Sequence, residues 1–120
     1  MSQTTLEIAK GPLVTIAIPT YNRAPLLRGC IQAALAQSYD NIEVLVSNNA
    51  SQDDTANVLA KFSDKRLRVL NQETNIGLLP NWNACLAAAS GEYIFFVSDD
   101  DKISSQMVEK CVGALEDQSQ

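Results

Sequence analysis

The run Leu13-Val14-Thr15-Ile16-Ala17-Ile18, closed by Pro19, constrains the fold most. It is apolar or β-branched throughout and shows no inside-outside alternation, so it reads as a strand buried on both faces. Such a strand needs a layer packed on each side. Tyr93-Ile94-Phe95-Phe96-Val97 has the same character, and shorter strands are expected at Ile42 to Val46 and Leu67 to Leu70. Between them apolar residues recur at helical spacing. Leu26, Leu27, Cys30, Ile31, Ala34 and Leu35 follow Pro25, with Asn22 or Arg23 near the cap. A second helix is expected over Asp54 to Phe62, with Val58, Leu59 and Phe62 inward. A third starts near Pro80 with Trp82, Cys85, Leu86 and Ala89 on one packed face, and a last one runs from Gln106 to Glu116. Strands alternating with helices imply right-handed crossovers, hence an α/β fold: a mostly parallel sheet of about four strands with helices on both faces.

The 120 residues suit one domain, and 46% apolar content is enough for one core. A net charge of −5 with no Lys or Arg cluster argues against a nucleic-acid partner. The chain has no histidine, which excludes Ser-His and Cys-His nucleophile pairs, histidine bases and histidine-bound zinc. Chemistry must come from carboxylates, hydroxyls, amides, backbone groups or an added metal. Cys30, Cys85 and Cys111 are widely spaced and suggest buried thiols rather than a disulfide framework. No apolar run reaches the roughly 18 residues of a membrane span, and Met1 to Lys10 lacks the features of a signal peptide. A polar leader over residues 1–11, a domain over 12–120 and a cytoplasmic location are expected.

In an open parallel sheet, ligands bind beyond the carboxyl ends of the strands, where strand order reverses. Four segments follow strands, and Ser98-Asp99-Asp100-Asp101 is the most informative. Three adjacent aspartates at a sheet mouth repel one another unless a cation or hydrogen-bond donors compensate them. Mg²⁺ or Mn²⁺ takes one or two protein carboxylates and leaves the other positions to phosphates and water, so Asp99, Asp100 and Asp101 are candidate metal ligands. The alternative is that they cap the next helix. Ser47-Asn48-Asn49-Ala50-Ser51-Gln52-Asp53 is dense in groups able to read a base or ribose, and equally rich in turn formers. Pro19-Thr20-Tyr21-Asn22 offers hydroxyls and an aromatic face, or simply an exit from a strand. Asn75-Ile76-Gly77 suits a tight turn, and Trp82 is expected in the core. Neither Gly-x-Gly-x-x-Gly nor a P-loop pattern occurs, so a nucleotide would be held through a metal rather than a glycine-rich cradle.

Taken together, Val14 to Arg23, Leu45 to Asp53, Asn75-Ile76-Gly77 and Gly91 to Asp101 resemble family 2 glycosyltransferases of the GT-A fold, in order and spacing, from about Pro12 onward. The resemblance implies the Rossmann-like, nucleotide-sugar-binding half of such an enzyme. It implies a UDP-, GDP- or TDP-linked sugar as donor, inversion at the anomeric carbon, and a saccharide or lipid-linked acceptor for the full-length enzyme. Pro19, Thr20 and Tyr21 would then line the base pocket, with Asn22, Arg23 and Asn49 beside them. Asn48 stands where the family usually places an aspartate that reads the base. Asp99 and Asp101 look like the family's Asp-x-Asp motif, while a one-residue shift makes Asp100 the metal ligand and Asp99 a ribose contact. An inverting transfer needs a carboxylate base, which in the family lies in the acceptor-binding half. A truncated chain, incomplete for transfer, is therefore expected, with the inner membrane face as a location open to the full-length form and homo-oligomers through uncovered edges and faces.

Two other classes fit the length and pattern. A receiver-type signalling domain needs an acidic pair after its first strand, where this chain has Pro19-Thr20-Tyr21-Asn22. A non-catalytic nucleotide-binding or interaction module of the same fold is the other.

Overall fold

The structure is a computed structural model that describes residues 11–118, so the expected polar leader, apart from Gly11, lies outside the described residues. Strands β1 (Val14–Thr20), β2 (Ile42–Asn48), β3 (Leu67–Asn71) and β4 (Tyr93–Phe96) alternate with helices α1 (Ala24–Leu35), α2 (Thr55–Ala60), α3 (Leu78–Ala88) and α4 (Met107–Gln118). The sheet has the order β3-β2-β1-β4, and every neighbouring pair is parallel.

The order explains where the helices lie. The chain steps outward from β1 to β2 to β3, then crosses back over the sheet to place β4 on the other side of β1. Right-handed crossovers require the reversing helix to take the opposite face. Residues of α1, α2 and α4 accordingly pack with Val14, Ile16, Ile18, Val44 and Val46 in the main core. Cys85 and Ala88 of α3 pack with Ala17 and Leu45 on the other face. Ile16, Ile18, Val44, Leu45 and Val46 are fully buried, each contributing about 1.5–3 kcal/mol by leaving water.

The lower end of the α3 face is tied by a buried carboxylate. Glu43 accepts from the Thr15 hydroxyl at 2.6 Å, the Ser90 N–H at 2.6 Å and Arg68 Nη1 at 2.8 Å. Burial alone would raise Glu43, but these three donors together hold it below the ordinary glutamate value. Arg68 Nη1 also donates to the Ala88 carbonyl at 3.1 Å, so strands, helix end and the entry to β4 are joined beneath the site.

Several expectations are corrected. Pro19 does not end β1, which continues through it to Thr20. Odd residues of β1 direct their backbone groups toward β4, as in Val97 N–H to Ala17 C=O, and even ones toward β2, as in Asn49 N–H to Thr20 C=O. The missing N–H of Pro19 therefore falls on the side where β4 pairing has already stopped, at Ala17 opposite Phe96. Pairing with β2 continues to Thr20 opposite Asn48. Helix α3 begins at Leu78, before Pro80, because Gly77 at φ 91° turns the chain into it. Trp82 and Leu86 are not core residues. They are 37% and 49% exposed, since Asn81 and Cys85 are the side chains of α3 buried against the sheet, and Trp82 lies at the rim with its ring on Phe96. Helix α2 is shorter than expected, yet Leu59 and Phe62 still reach the main core.

Candidate nucleotide-sugar site

Beyond Ala17 and Phe96 the strands β1 and β4 part, and the gap is the point where strand order reverses. Thr20 and Asp99 meet across it, with the Thr20 hydroxyl donating to Asp99 Oδ2 at 2.8 Å. Arg23, at the start of α1, reaches the same place. Its Nη2 lies 2.8 Å from Asp100 Oδ2 and its Nε 3.4 Å from Asp99 Oδ1. Asp100 also accepts from the Ser98 hydroxyl at 2.7 Å. That hydrogen bond, followed by the nearby guanidinium, keeps the Asp100 carboxyl below the usual aspartate range. Asp99 is buried, whereas Asp100 and Asp101 are exposed.

The three aspartates stand at one mouth without forming a closed cage. Among the described residues no group of three or more His, Cys, Asp or Glu side chains is arranged to enclose a metal. Cys30 underlies them, its Sγ 3.3 Å from the Ser98 carbonyl. Burial, with the negative charge of Asp99, Asp101 and Asp100 added, pushes its thiol up to about 12.

The loop after β1 is laced to the loop after β2. Asn22, at φ 54°, donates its N–H to Ser51 Oγ at 2.9 Å and accepts from the Gln52 N–H at 2.7 Å. Asp53 accepts the Ala24 N–H at 3.0 Å, capping α1 from another loop, since neither Asn22 nor Arg23 supplies a side-chain cap. The Thr55 hydroxyl and the Ala24 N–H lower Asp53.

Asn48 and Asn49 are both buried and engaged. Asn48 Oδ1 accepts the Ser51 N–H at 3.1 Å, and its Nδ2 donates to Asn71 Oδ1 at 3.3 Å. Asn49 accepts from the Ile76 N–H at 2.9 Å and donates to Asn75 Oδ1 at 2.9 Å, which fixes the turn into α3. Tyr21 is 41% exposed, with its ring available at the mouth.

Two clefts share this rim. One, of about 520 Å³, is bounded by Thr20, Asp99 and Arg23 on one side and by Leu78, Asn81 and Trp82 on the other. Its aromatic wall is rigid, because the Trp82 ring stacks on Phe96 at 4.5 Å and 10°. The other, of about 570 Å³, is lined by Asn48, Ser51, Gln52 and Gln72. Tyr21 and Asn75 line both.

Trp82, Asn81, Gln72 and Gln37 were not among the residues singled out for the site. Asn81 holds Ser47, accepting from its hydroxyl at 2.7 Å and donating to its carbonyl at 3.1 Å. Gln37, past the end of α1, donates to the Ser104 carbonyl at 2.7 Å and accepts the Val108 N–H at 3.0 Å. It thereby anchors the segment between the aspartates and α4. Only the outward position of Trp82 could have been suspected from sequence, since α3 carries more apolar residues than one face can bury.

The pattern described as glycosyl transferase family 2 matches residues 15–120. The chain belongs to this family. Among family members, it is 34% identical over 99 residues to "Glycosyltransferase GlyG" of Streptococcus pneumoniae, an alignment covering 81% of this chain and 33% of GlyG. The structure of Staphylococcus aureus TarS 1-349 in complex with UDP-GlcNAc superimposes with a TM-score of 0.81 at 27% identity, covering 87% of this chain and 31% of TarS. The mannosyltransferase PcManGT of Pyrobaculum calidifontis, in complex with GDP-Man and Mn²⁺, superimposes with a TM-score of 0.68 at 28% identity, covering 74% of this chain and 28% of that protein. The chain thus spans about a third of the length of these family members, and its fold is the GT-A, Rossmann-like nucleotide-binding half.

Proposed function

We propose that this chain is the donor-binding part of a glycosyltransferase that transfers a sugar from a nucleoside diphosphate to a hydroxyl acceptor with inversion, using a divalent metal. The observation that carries the reading is the Thr20–Asp99–Arg23–Asp100 arrangement at the parting of β1 and β4, beside a cleft of about 520 Å³. A family member solved with UDP-GlcNAc and another with GDP-Man and Mn²⁺ support it.

The donor set fits Mg²⁺ or Mn²⁺. It offers hard oxygen ligands, and two carboxylates, Asp99 and Asp100, face one guanidinium with Asp101 next in the chain, which leaves the mouth short of positive charge. The open arrangement suits an ion that takes one or two protein carboxylates. Asp100 and Asp101, both exposed, would hold the metal. Asp99, with its oxygens turned to Thr20 and Arg23, orients the strand end and reaches the ribose. When bound, such a cation neutralises the charge that develops on the departing diphosphate.

The residues of the chain divide the donor between the clefts. Tyr21 stacks on the base, which lies over the amide-rich cleft of Asn48 and Gln72. Asn49 and Asn75 hold the turn that separates it from the Trp82 cleft, where the diphosphate and sugar lie. The base that deprotonates the acceptor belongs to the acceptor-binding half, together with the saccharide or lipid-linked acceptor itself.

Calorimetric titration of UDP, GDP and TDP with Mn²⁺ or with EDTA tests the reading, using the chain and its Asp99→Ala, Asp100→Ala and Asp101→Ala variants. Metal-dependent binding abolished by at least Asp100→Ala is expected. Failure of every nucleotide to bind would sink the proposal.

A further inference from the structure

Arg23 is attached to the site in an unusual way. Its backbone is fixed, since its carbonyl accepts the Leu26 and Leu27 N–H groups that start α1. Among the described residues its side chain is held only by carboxylates, and it is 42% exposed. The contact with Asp100 is at full hydrogen-bond distance, but Nε, although buried, has no hydrogen-bond partner among the described residues and stands 3.4 Å from Asp99. The guanidinium is therefore docked at one end and unsatisfied at the other. Both oxygens of Asp100 already have donors, Ser98 on Oδ1 and Arg23 on Oδ2. Each oxygen keeps a free lone pair, so what opposes a cation on Asp100 is the positive charge of Arg23 already seated on Oδ2, while the neutral Ser98 hydroxyl does not.

We propose that Arg23 is a built-in stand-in for the metal: it occupies the cation position on Asp100 in the ligand-free protein, leaves when a divalent cation enters, and turns into the adjoining cleft to meet the ligand's diphosphate. This rests on the functional reading above and adds a positioning role for one residue. Arg23 lines the Trp82 cleft, so a rotation about its side-chain bonds carries the charge from carboxylate to anion with no backbone change. A planar guanidinium suits both partners, because carboxylate and phosphate each match its fork. Bare metal must compete with Arg23, whereas metal and nucleotide together give the displaced charge a new partner. The two ligands are then coupled through one side chain, and the coupling is reciprocal.

Mn²⁺ titrations followed by electron paramagnetic resonance of the free ion test this on the chain, Arg23→Gln and Arg23→Lys. Each is run alone and with UDP, GDP or TDP, with Asp100→Asn as reference and thermal melting as a check of folding. Without nucleotide, Arg23→Gln should bind Mn²⁺ more tightly than the parent, by about tenfold. Nucleotide should tighten Mn²⁺ strongly in the parent and much less in Arg23→Gln, with Arg23→Lys between them. Equal Mn²⁺ affinity in parent and Arg23→Gln, or equal tightening by nucleotide, overturns the role of Arg23 while leaving the donor site standing. Absence of Mn²⁺ binding in every protein, even with nucleotide, overturns both.

Discussion

The Thr20 hydroxyl and the Asp99 carboxylate, 79 positions apart in sequence, meet at 2.8 Å where β1 and β4 separate. Each lies beyond the stretch over which β1 and β4 pair, and the bond bridges a gap the backbone leaves open. Thr20→Val keeps the shape and removes the donor, leaving a buried carboxylate oxygen short of a partner. A stability loss of about 1.5–3 kcal/mol is expected in urea unfolding, with weaker nucleotide binding in calorimetry.

Glu43 should shape the acid limb of stability. Its folded pKa lies below its ordinary 4.5, so its contribution is complete above that value and is lost as pH falls through the lower folded one. Asp64, brought down to about 2 from 3.8 by the side chain and N–H of Arg66, extends the loss to lower pH. Glu43→Gln should lower stability at pH 7 by about 1–3 kcal/mol. It should also flatten the fall between pH 5 and 3, as read from denaturant midpoints across that range.

Two glycines should respond with opposite sign. A Cβ on Gly91 would stand 2.5 Å from the Thr15 nitrogen and 2.7 Å from its hydroxyl oxygen. Gly91→Ala must therefore push the entry of β4 off β1, at a cost of about 1–3 kcal/mol. Gly113, inside α4, has nothing within 4 Å of its Cβ position. Gly113→Ala should stabilise by about 0.5–1 kcal/mol, and thermal melts of both variants compare them directly.

Ala50 holds φ 59°, a left-handed conformation that costs a side chain roughly 1 kcal/mol. Ala50→Gly should raise the melting temperature by a few degrees without weakening nucleotide binding. A lower melting temperature would mean that the methyl group packs usefully in the loop.

The thiols should differ in reactivity. Cys30 is pushed up to about 12 and Cys85 to about 11, chiefly by burial, although the Ser47 hydroxyl moderates Cys85. Cys111 is only partly buried. Alkylation at pH 8, read by peptide mass spectrometry, should label Cys111 first and leave the other two nearly unmodified in the folded chain.

Much of the architecture was legible because it follows from backbone periodicity. A non-alternating run such as Leu13 to Ile18 requires a doubly covered strand, and the helical spacing after Pro25 requires α1. The four segments after the strands converge at the reversal of strand order, so strand ends alone point to Thr20, Tyr21, Arg23, Asn49 and Asp99, which line one cleft there, while the roles expected of them come from the family resemblance. What was not legible depends on long-range partners. Asn48 and Asn49 read equally as base contacts and as turn formers, and the partners that hold them, Asn71 and Asn75, lie in later segments that local sequence does not bring to mind. Trp82 read as core because helical spacing marks an apolar stripe but not its width: Cys85 and Ala89 of that stripe do meet the sheet, while Trp82 and Leu86 on its flank stay exposed. The β1 boundary was misplaced for a similar reason: whether a missing N–H matters depends on which neighbouring strand it faces.

Pro19 removes the one donor that would carry the β1–β4 ladder past Phe96, while its carbonyl remains as an acceptor. The ladder is thus weakened at its open end by covalent structure, so a substitution at Pro19 would reach the width of the entrance through the main chain, whereas a change at Gln72 or Trp82 alters what the entrance is lined with.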